Sequence, residues 1–301
     1  MKNFFKKRYF LPLLVLAIFV IILNNNFLKF KISRLILSHE LSIMPNLIVK
    51  KISRISNFDL FKDKKQATLV LNDYVATHVR PIEINLDDGA SWKMLHGSIW
   101  CDGVSDILNR LLEVIEVRSY LVWLHDNNMN TPHAVSMVDF LDQKLINGKN
   151  SSLDQKTLYL FDPQNNYLPL NNNKEVVNIK YMIENSSEFV EMKKLHSDGV
   201  TLNLLINNAQ LWDRNIFGKE NSAIRNFSKI FVKYSPDFLI TNLIKFSIYI
   251  NPKIDENTKK FYFARVDHIL LNYDSAWKKY NDLAKKNIYA EESFFWVNSL
   301  K

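Results

Sequence analysis

The sequence predicts an α+β protein, and three patterns point to that class. After Cys101, apolar residues recur at the spacing of one helical face, in a stripe made of Val104, Ile107, Leu108, Leu111, Leu112 and Ile115. Three short runs rich in β-branched and aromatic residues follow, at 119–124, 134–140 and 157–161. From about residue 171 to the end, apolar residues return to a helical spacing. We therefore expect a helix packed on an antiparallel sheet, followed by a mainly helical region.

The length and composition favour a folded protein with one large domain or two small ones. Of the 301 residues, 47% are apolar and 23% are charged, which excludes disordered and collagen-like classes. We divide the chain into a membrane anchor (1–34), a helical juxtamembrane part (35–86), the part that contains the Cys101 helix and the strands (87–170), and a mainly helical C-terminal region (171–301).

The N-terminus has the pattern of a membrane anchor. Four basic side chains in the first eight residues precede an uncharged, apolar run at 9–23. A helix over this run is about 22 Å long, shorter than the ~30 Å hydrocarbon core, unless the segment extends to residue 28. Bulky residues follow the run where a signal peptidase needs small ones. We expect an uncleaved single-pass anchor, and a cleaved signal peptide and a buried core helix remain alternatives.

The distribution of charge predicts both the orientation and the absence of a nucleic-acid partner. Four bases precede the apolar run and three follow it, which favours a cytoplasmic N-terminus. The soluble region would then lie outside the inner (cytoplasmic) membrane, in the periplasm of a bacterium with two membranes. Seven of the 39 bases lie within 1–34, so the remaining 32 face 31 acids. This nearly neutral body has no basic patch interleaved with aromatics, and we expect no nucleic-acid binding.

The sequence lacks the residues that several classes of cofactor and metal site need. Only 6 glycines occur, and neither a dinucleotide fingerprint nor a phosphate-binding loop is present, so we expect no nucleotide. A single cysteine allows neither an intramolecular disulfide nor a cysteine-based zinc site. His125, Asp126, His133 and Asp139 do not have a metal-ligand spacing. We expect neither a metal nor a cofactor.

The Cys101 segment has the pattern of a nucleophile site. A cysteine in the first turn of a helix lies near unpaired N–H groups and the positive end of the dipole, which stabilise a thiolate and a developing oxyanion. A thiolate nucleophile needs a base, and the base needs an orienting partner. His133 begins the second strand run and Asp162 follows the third. If these strands pair antiparallel, both side chains lie at one sheet edge, where the helix can bring Cys101.

The sequence also allows other interpretations of these residues. His96 and His125 are alternative bases. Cys101 could simply fill space in the core, as free cysteines often do. Asp162 precedes Pro163 and could be only a turn former.

Residues 95–170 resemble a transglutaminase-like domain, a cysteine-nucleophile superfamily with papain-like architecture. The segment LHGSIWCDGVSDILNRLLEVIEVRSYLVWL is similar to the family's cysteine helix and the strand that follows it. The segment TPHAVSMVDF is similar to its histidine-led strand, and YLFDPQNN to its Asp-Pro turn. The resemblance implies Cys101 as nucleophile, His133 as general base and acid, and Asp162 as the orienting carboxylate, at spacings of 32 and 29 residues.

The sequence departs from the family pattern at two places. Gly97 lies four residues before the cysteine instead of two, and the loop 141–156 is longer than a tight hairpin. Both departures affect the surroundings of the site rather than its three central residues.

We expect a membrane-anchored cysteine enzyme that acts on amide or ester bonds, as a peptidase or amidase of the cell envelope or of a surface-polysaccharide system. An acyltransferase is a variant of this hypothesis. The alternative is a catalytically silent transglutaminase-like binding or scaffold protein of an envelope complex. The expected partners are a peptide or amide substrate or an envelope protein, together with the membrane through residues 9–28.

Overall fold

The computed structural model describes residues 24–38, 41–56, 58–79, 90–97, 101–124, 133–140, 156–189, 210–211 and 222–300. The apolar run 9–23, His125 and most of the loop 141–156 lie outside these ranges.

Both helices and strands are present in the described ranges, which confirms the α+β class. The helices are α1 (Asn26–Ile36), α2 (Ile43–Ile55), α3 (Lys64–His78), α4 (Ala90–His96), α5 (Cys101–Val114), α6 (Ile179–Glu184), α7 (Ser222–Tyr234), α8 (Asp237–Ile250), α9 (Glu256–Ile269), α10 (Tyr273–Lys285) and α11 (Ala290–Ser299). The strands are β1 (Arg118–Leu124), β2 (His133–Asp139), β3 (Leu158–Phe161) and β4 (Gln210–Leu211).

The strands form an antiparallel sheet in the order β3-β2-β1-β4. The predicted pairing of the second and third strand runs is confirmed: Ser136 lies opposite Phe161, and Asp139 lies opposite Leu158. The fourth strand was not predicted, because two residues are too few to establish an alternating pattern.

The two faces of the sheet pack against different elements, as alternation along a strand requires. Leu121 and Ala134 contact Cys101 at the start of α5, and Phe161 belongs to the larger core that contains the α5 stripe. Val122, Met137 and Leu160 form a second cluster, which includes α6 residues. The sheet therefore lies between α5 and α6.

The N-terminal helices, α5 and the C-terminal helices share one hydrophobic core. Its buried members include Leu47 of α2, Leu71 of α3, Leu111 of α5, Ile244 of α8 and Tyr280 of α10. The helical C-terminal region is confirmed for residues 222–300. Packing of this region therefore contributes directly to the stability of the helix that carries the cysteine.

A buried arginine joins the C-terminal helices to α4. Arg265 Nη2 donates to the carbonyl oxygens of His78 at 2.6 Å and Met94 at 2.9 Å, and its guanidinium lies 4.6 Å from the Trp296 ring centroid. Burial lowers the pKa of His78 to about 4, and burial together with Arg265 lowers the pKa of His268. The cluster therefore holds two neutral histidines around one buried cation.

The first helix packs onto the body of the protein. Helix α1 contacts α8, and Asn251 Nδ2 donates to Ser33 Oγ at 3.0 Å. Within the described ranges, every helix is too short or too polar to cross a membrane.

Candidate active site

Helix α4 contacts α5 and ends at His96, five residues before the cysteine. The N–H of Gly97 donates to the carbonyl of Lys93 at 2.7 Å, and Gly97 has φ of 102°. Residues with a Cβ avoid this conformation, and glycine is the usual residue at the end of a helix. Gly97 therefore ends α4.

Three hydrogen bonds fix the first turns of α5 against the beginning of β2. The backbone N–H of Ala134 donates to Cys101 Sγ at 3.0 Å. Ser105 Oγ donates to the Ala134 carbonyl at 3.2 Å, and Ser136 Oγ donates to the Ser105 carbonyl at 3.3 Å. Because β3 pairs with β2 only from Ser136 onward, the β2 edge at Ala134 is open to α5. The thiol is thereby held at this edge, and Cys101 is only 8% exposed.

His133 connects the thiol to a buried carboxylate. His133 Nε2 lies 2.8 Å from Asp162 Oδ2, and Asp162 is fully buried. Burial lowers the pKa of His133, but the hydrogen bonds to Asp162 and to the Cys101 side chain outweigh burial and raise this pKa to about 10. Since Nε2 is bonded to the carboxylate, Nδ1 is the ring nitrogen that remains for the thiol.

The turn after β3 holds the Asp162 carboxylate in place. Oδ1 accepts hydrogen bonds from the backbone N–H groups of Gln164 at 3.1 Å and Asn165 at 3.4 Å. Oδ2, which faces His133, also accepts from Asn165 Nδ2 at 2.8 Å. The backbone of Asp162 pairs with Tyr167 across the turn. Asp162 is thus both a turn former and the hydrogen-bond partner of the histidine, so the two interpretations are compatible.

Of the two alternative bases, His96 has a different hydrogen-bond partner and His125 lies outside the described residues. His96 is hydrogen bonded to the Tyr262 hydroxyl, and burial lowers its pKa. Trp92, on the same helix, packs near Tyr262 at 6.2 Å between ring centroids. His125 lies outside the described ranges. The structure therefore brings Cys101, His133 and Asp162 together and leaves His96 with a different partner.

Two parts of the site were not predicted from the sequence. The Ala134 N–H has no sequence signature, because every residue other than proline carries this donor. Asn165 could have been found, since an aspartate followed by proline and a nearby asparagine is typical of a turn with side-chain capping.

Among the described residues, no group of three or more histidine, cysteine, aspartate or glutamate side chains is arranged to hold a metal ion. No protein-family model matches the chain, and neither a curated protein nor a solved structure matches it. The chemistry of this site is therefore inferred from its own geometry.

Proposed function

We propose that the chain is a membrane-anchored, transglutaminase-like cysteine enzyme that forms an acyl-enzyme at Cys101. The observation that carries this proposal is the position of His133, which is hydrogen bonded on one side to the Asp162 carboxylate and on the other to the Cys101 side chain. Nucleophilic acyl transfer needs this arrangement, in which a base contacts the nucleophile and a carboxylate orients the base.

The proposed mechanism uses a Cys101 thiolate beside the His133 imidazolium. A pKa of about 10 keeps His133 protonated at neutral pH, and a neighbouring cation stabilises a thiolate. The Ala134 N–H adds a second stabilising interaction at Sγ. Asp162 is a positioning residue, because it acts on the thiol through the histidine ring.

Acylation begins when Cys101 Sγ attacks the carbonyl carbon of an amide or ester. A C–S bond forms and the carbonyl oxygen becomes an oxyanion. We assign its donors to the backbone N–H groups in the first turn of α5, except that of Gly103, which already donates to Asp102 Oδ1 at 2.8 Å. As the oxyanion collapses, the bond to the leaving group breaks and His133 gives its proton to the departing nitrogen or oxygen. The product is a thioester on Cys101 and a free amine or alcohol.

Deacylation restores the thiolate. Water attacks the thioester and loses a proton to His133, a C–O bond forms, and the C–S bond breaks to release a carboxylic acid. If an amine replaces water, the same steps give acyl transfer. We favour hydrolysis, as a peptidase or amidase of the cell envelope, because transfer needs an additional site for the amine.

A simple activated ester tests the proposal without knowledge of the natural substrate. The full chain is incubated with p-nitrophenyl acetate, and acetylation is followed by intact mass together with release of nitrophenol. We expect rapid acetylation of Cys101, turnover beyond one equivalent, no adduct in Cys101→Ser, and much slower acetylation in His133→Ala.

The same measurement distinguishes the enzyme from a catalytically silent binding protein. A silent protein that retains the fold would be acetylated no faster than free cysteine and would not turn over. That result, obtained with folded protein, would overturn the proposed activity.

A further inference from the structure

The Asp162 oxygen that faces His133 has a second donor. His133 Nε2 and Asn165 Nδ2 each lie 2.8 Å from Asp162 Oδ2. The other oxygen, Oδ1, accepts from the backbone N–H groups of Gln164 and Asn165. An ionised carboxylate can only accept hydrogen bonds, so the amide nitrogen of Asn165, and not its oxygen, faces Oδ2. A neutral donor therefore shares one carboxylate oxygen with the histidine of the site.

The turn that carries Asn165 is held from within and from α3. Within the turn, the Asp162 N–H donates to the Tyr167 carbonyl at 3.2 Å, and the Tyr167 N–H donates to the Asp162 carbonyl at 2.8 Å. From α3, Asp73 Oδ1 accepts from Asn166 Nδ2 at 3.1 Å. The backbone around Asn165 is thus fixed, and its side chain reaches Oδ2 although Asn165 itself is exposed.

A second donor on the same oxygen weakens the hold of the carboxylate on the histidine proton. A hydrogen bond to a carboxylate stabilises its negative charge, so Asn165 lowers the proton affinity of Asp162. The proton on His133 Nε2 is then attracted less strongly, and the proton on Nδ1 is released more readily. The Nδ1 proton is the one that His133 gives to the leaving group in the proposed acylation step.

We propose that Asn165 is a positioning residue that limits how strongly Asp162 retains the His133 proton. Burial lowers the pKa of His133, and Asp162 and Cys101 raise it to about 10, so the ring is already a strong base. A stronger interaction with Asp162 would make the ring a poorer proton donor. This inference rests on the proposed function, because the proton transfer belongs to that reaction.

Titration of the His133 ring tests this role separately from catalysis. The full chain with Cys101→Ser is labelled in histidine and followed by NMR against pH, so that no thiol titrates together with the ring. Asn165→Ala removes the donor, and Asn165→Asp places a second carboxylate beside Oδ2. We expect the midpoint to rise by roughly 0.5 pH units or more in Asn165→Ala, and further in Asn165→Asp. A merely structural role predicts the opposite direction, since a displaced Asp162 would let the midpoint fall.

Acetylation of Cys101 tests the consequence for the reaction. Nitrophenolate leaves p-nitrophenyl acetate with little protonation, whereas the phenolate of phenyl acetate is more basic and depends on the His133 proton. We expect Asn165→Ala to slow acetylation by phenyl acetate roughly twofold or more beyond any change with p-nitrophenyl acetate. Asn172→Ala is the matched control, because it changes an exposed asparagine beyond the turn, and it should follow the parent with both esters.

The outcomes separate this inference from the proposed function. A midpoint that is unchanged or lower in both Asn165 variants, with the urea unfolding curve of the parent, would show that Asn165 only supports the turn. Equal slowing with both esters in Asn165→Ala would also overturn the inference. A parent that is not acetylated at Cys101, but whose ring midpoint rises as expected in the variants, would instead overturn the proposed enzyme and leave the effect of Asn165 on His133 intact.

Discussion

The backbone N–H of Ala134 donates a hydrogen bond to Cys101 Sγ at 3.0 Å, so the residue next to the histidine holds the thiol. The beginning of β2 therefore supplies both His133 and a fixed donor to the sulfur. Because the donor belongs to the backbone of a paired strand, its position depends on the sheet register and not on a side-chain rotamer. An N–H donor stabilises a thiolate more than a neutral thiol, since hydrogen bonds to charged acceptors are the stronger ones.

Alkylation of Cys101 by a neutral reagent should remain fast below pH ~7. An ordinary cysteine is mostly protonated there, whereas a thiolate paired with the His133 imidazolium stays reactive. His133→Ala should slow the reaction at pH 6 by roughly tenfold or more. The measurement is the alkylation rate against pH by intact mass, and only one thiol can react.

Reaction that begins only when the protein is unfolded would contradict this expectation and would indicate an occluded, structural cysteine. The His96→Ala variant is the matched control, because His96 is a histidine whose described partner is Tyr262. Its alkylation profile should follow that of the parent.

Replacement of Asp162 by alanine should both destabilise the fold and alter the histidine. The buried carboxylate accepts hydrogen bonds from His133, Gln164 and Asn165, so its loss leaves partly buried donors, including the His133 imidazolium, without their acceptor. We expect a loss of about 3 kcal/mol in the free energy of unfolding, measured with urea. Asp162→Asn should cost less, since the amide oxygen can still accept the backbone N–H groups of the turn.

The pKa of His133, followed by NMR of the ring, should fall in Cys101→Ser. The Asp162 hydrogen bond and the interaction with Cys101 both raise this pKa, so Cys101→Ser removes one of the two and leaves the carboxylate. Asp162→Asn should lower the pKa further than Cys101→Ser does. A His133 pKa that is insensitive to both substitutions would show that the ring is not coupled to either group.

The free energy of unfolding should fall on both the alkaline and the acid side of neutral pH. We call these the alkaline limb and the acid limb, and we assign each to a different histidine. The pKa of His133 is raised from 6.5 to about 10, so its stabilising contribution is complete below pH 6.5 and disappears as the pH rises through 10. The pKa of His78 is lowered from 6.5 to about 4, so its contribution is present above pH 6.5 and disappears as the pH falls through 4.

Urea unfolding at several pH values checks this assignment. His78→Gln should flatten the acid limb by up to about 1.4 kcal/mol per pH unit, which is the slope for one proton. His133→Gln should flatten the alkaline limb and leave the acid limb unchanged. An acid limb of the same slope in His78→Gln would contradict the role assigned to that residue.

The parts of the fold that the sequence predicts are those with a repeating pattern. The stripe after Cys101 predicts α5, and alternation together with strand order predicts the pairing that puts His133 beside Asp162. Their catalytic roles remain predictions. The geometry followed from the pattern because antiparallel neighbours bring the start of one strand to the end of the next.

The parts that the sequence does not predict depend on single contacts between distant segments. An arginine within a helix is usually expected at the surface. Arg265 is instead buried, and its guanidinium contacts the His78 and Met94 carbonyls. Backbone donors and acceptors have no sequence signature, so neither this contact nor the Ala134 donor could be predicted.

The packing of α1 on α8 has a geometric consequence for the reach of Cys101. If the N-terminal apolar segment crosses the bilayer, the packing of α1 on α8 and the Asn251–Ser33 hydrogen bond hold the C-terminal helices to the helix that follows this segment. The Cys101 thiol would then lie at a fixed distance from the membrane surface. Only amide or ester bonds at that distance from the membrane could reach the thiol. Distance from the membrane would therefore restrict which substrates react, in addition to their contacts with the site.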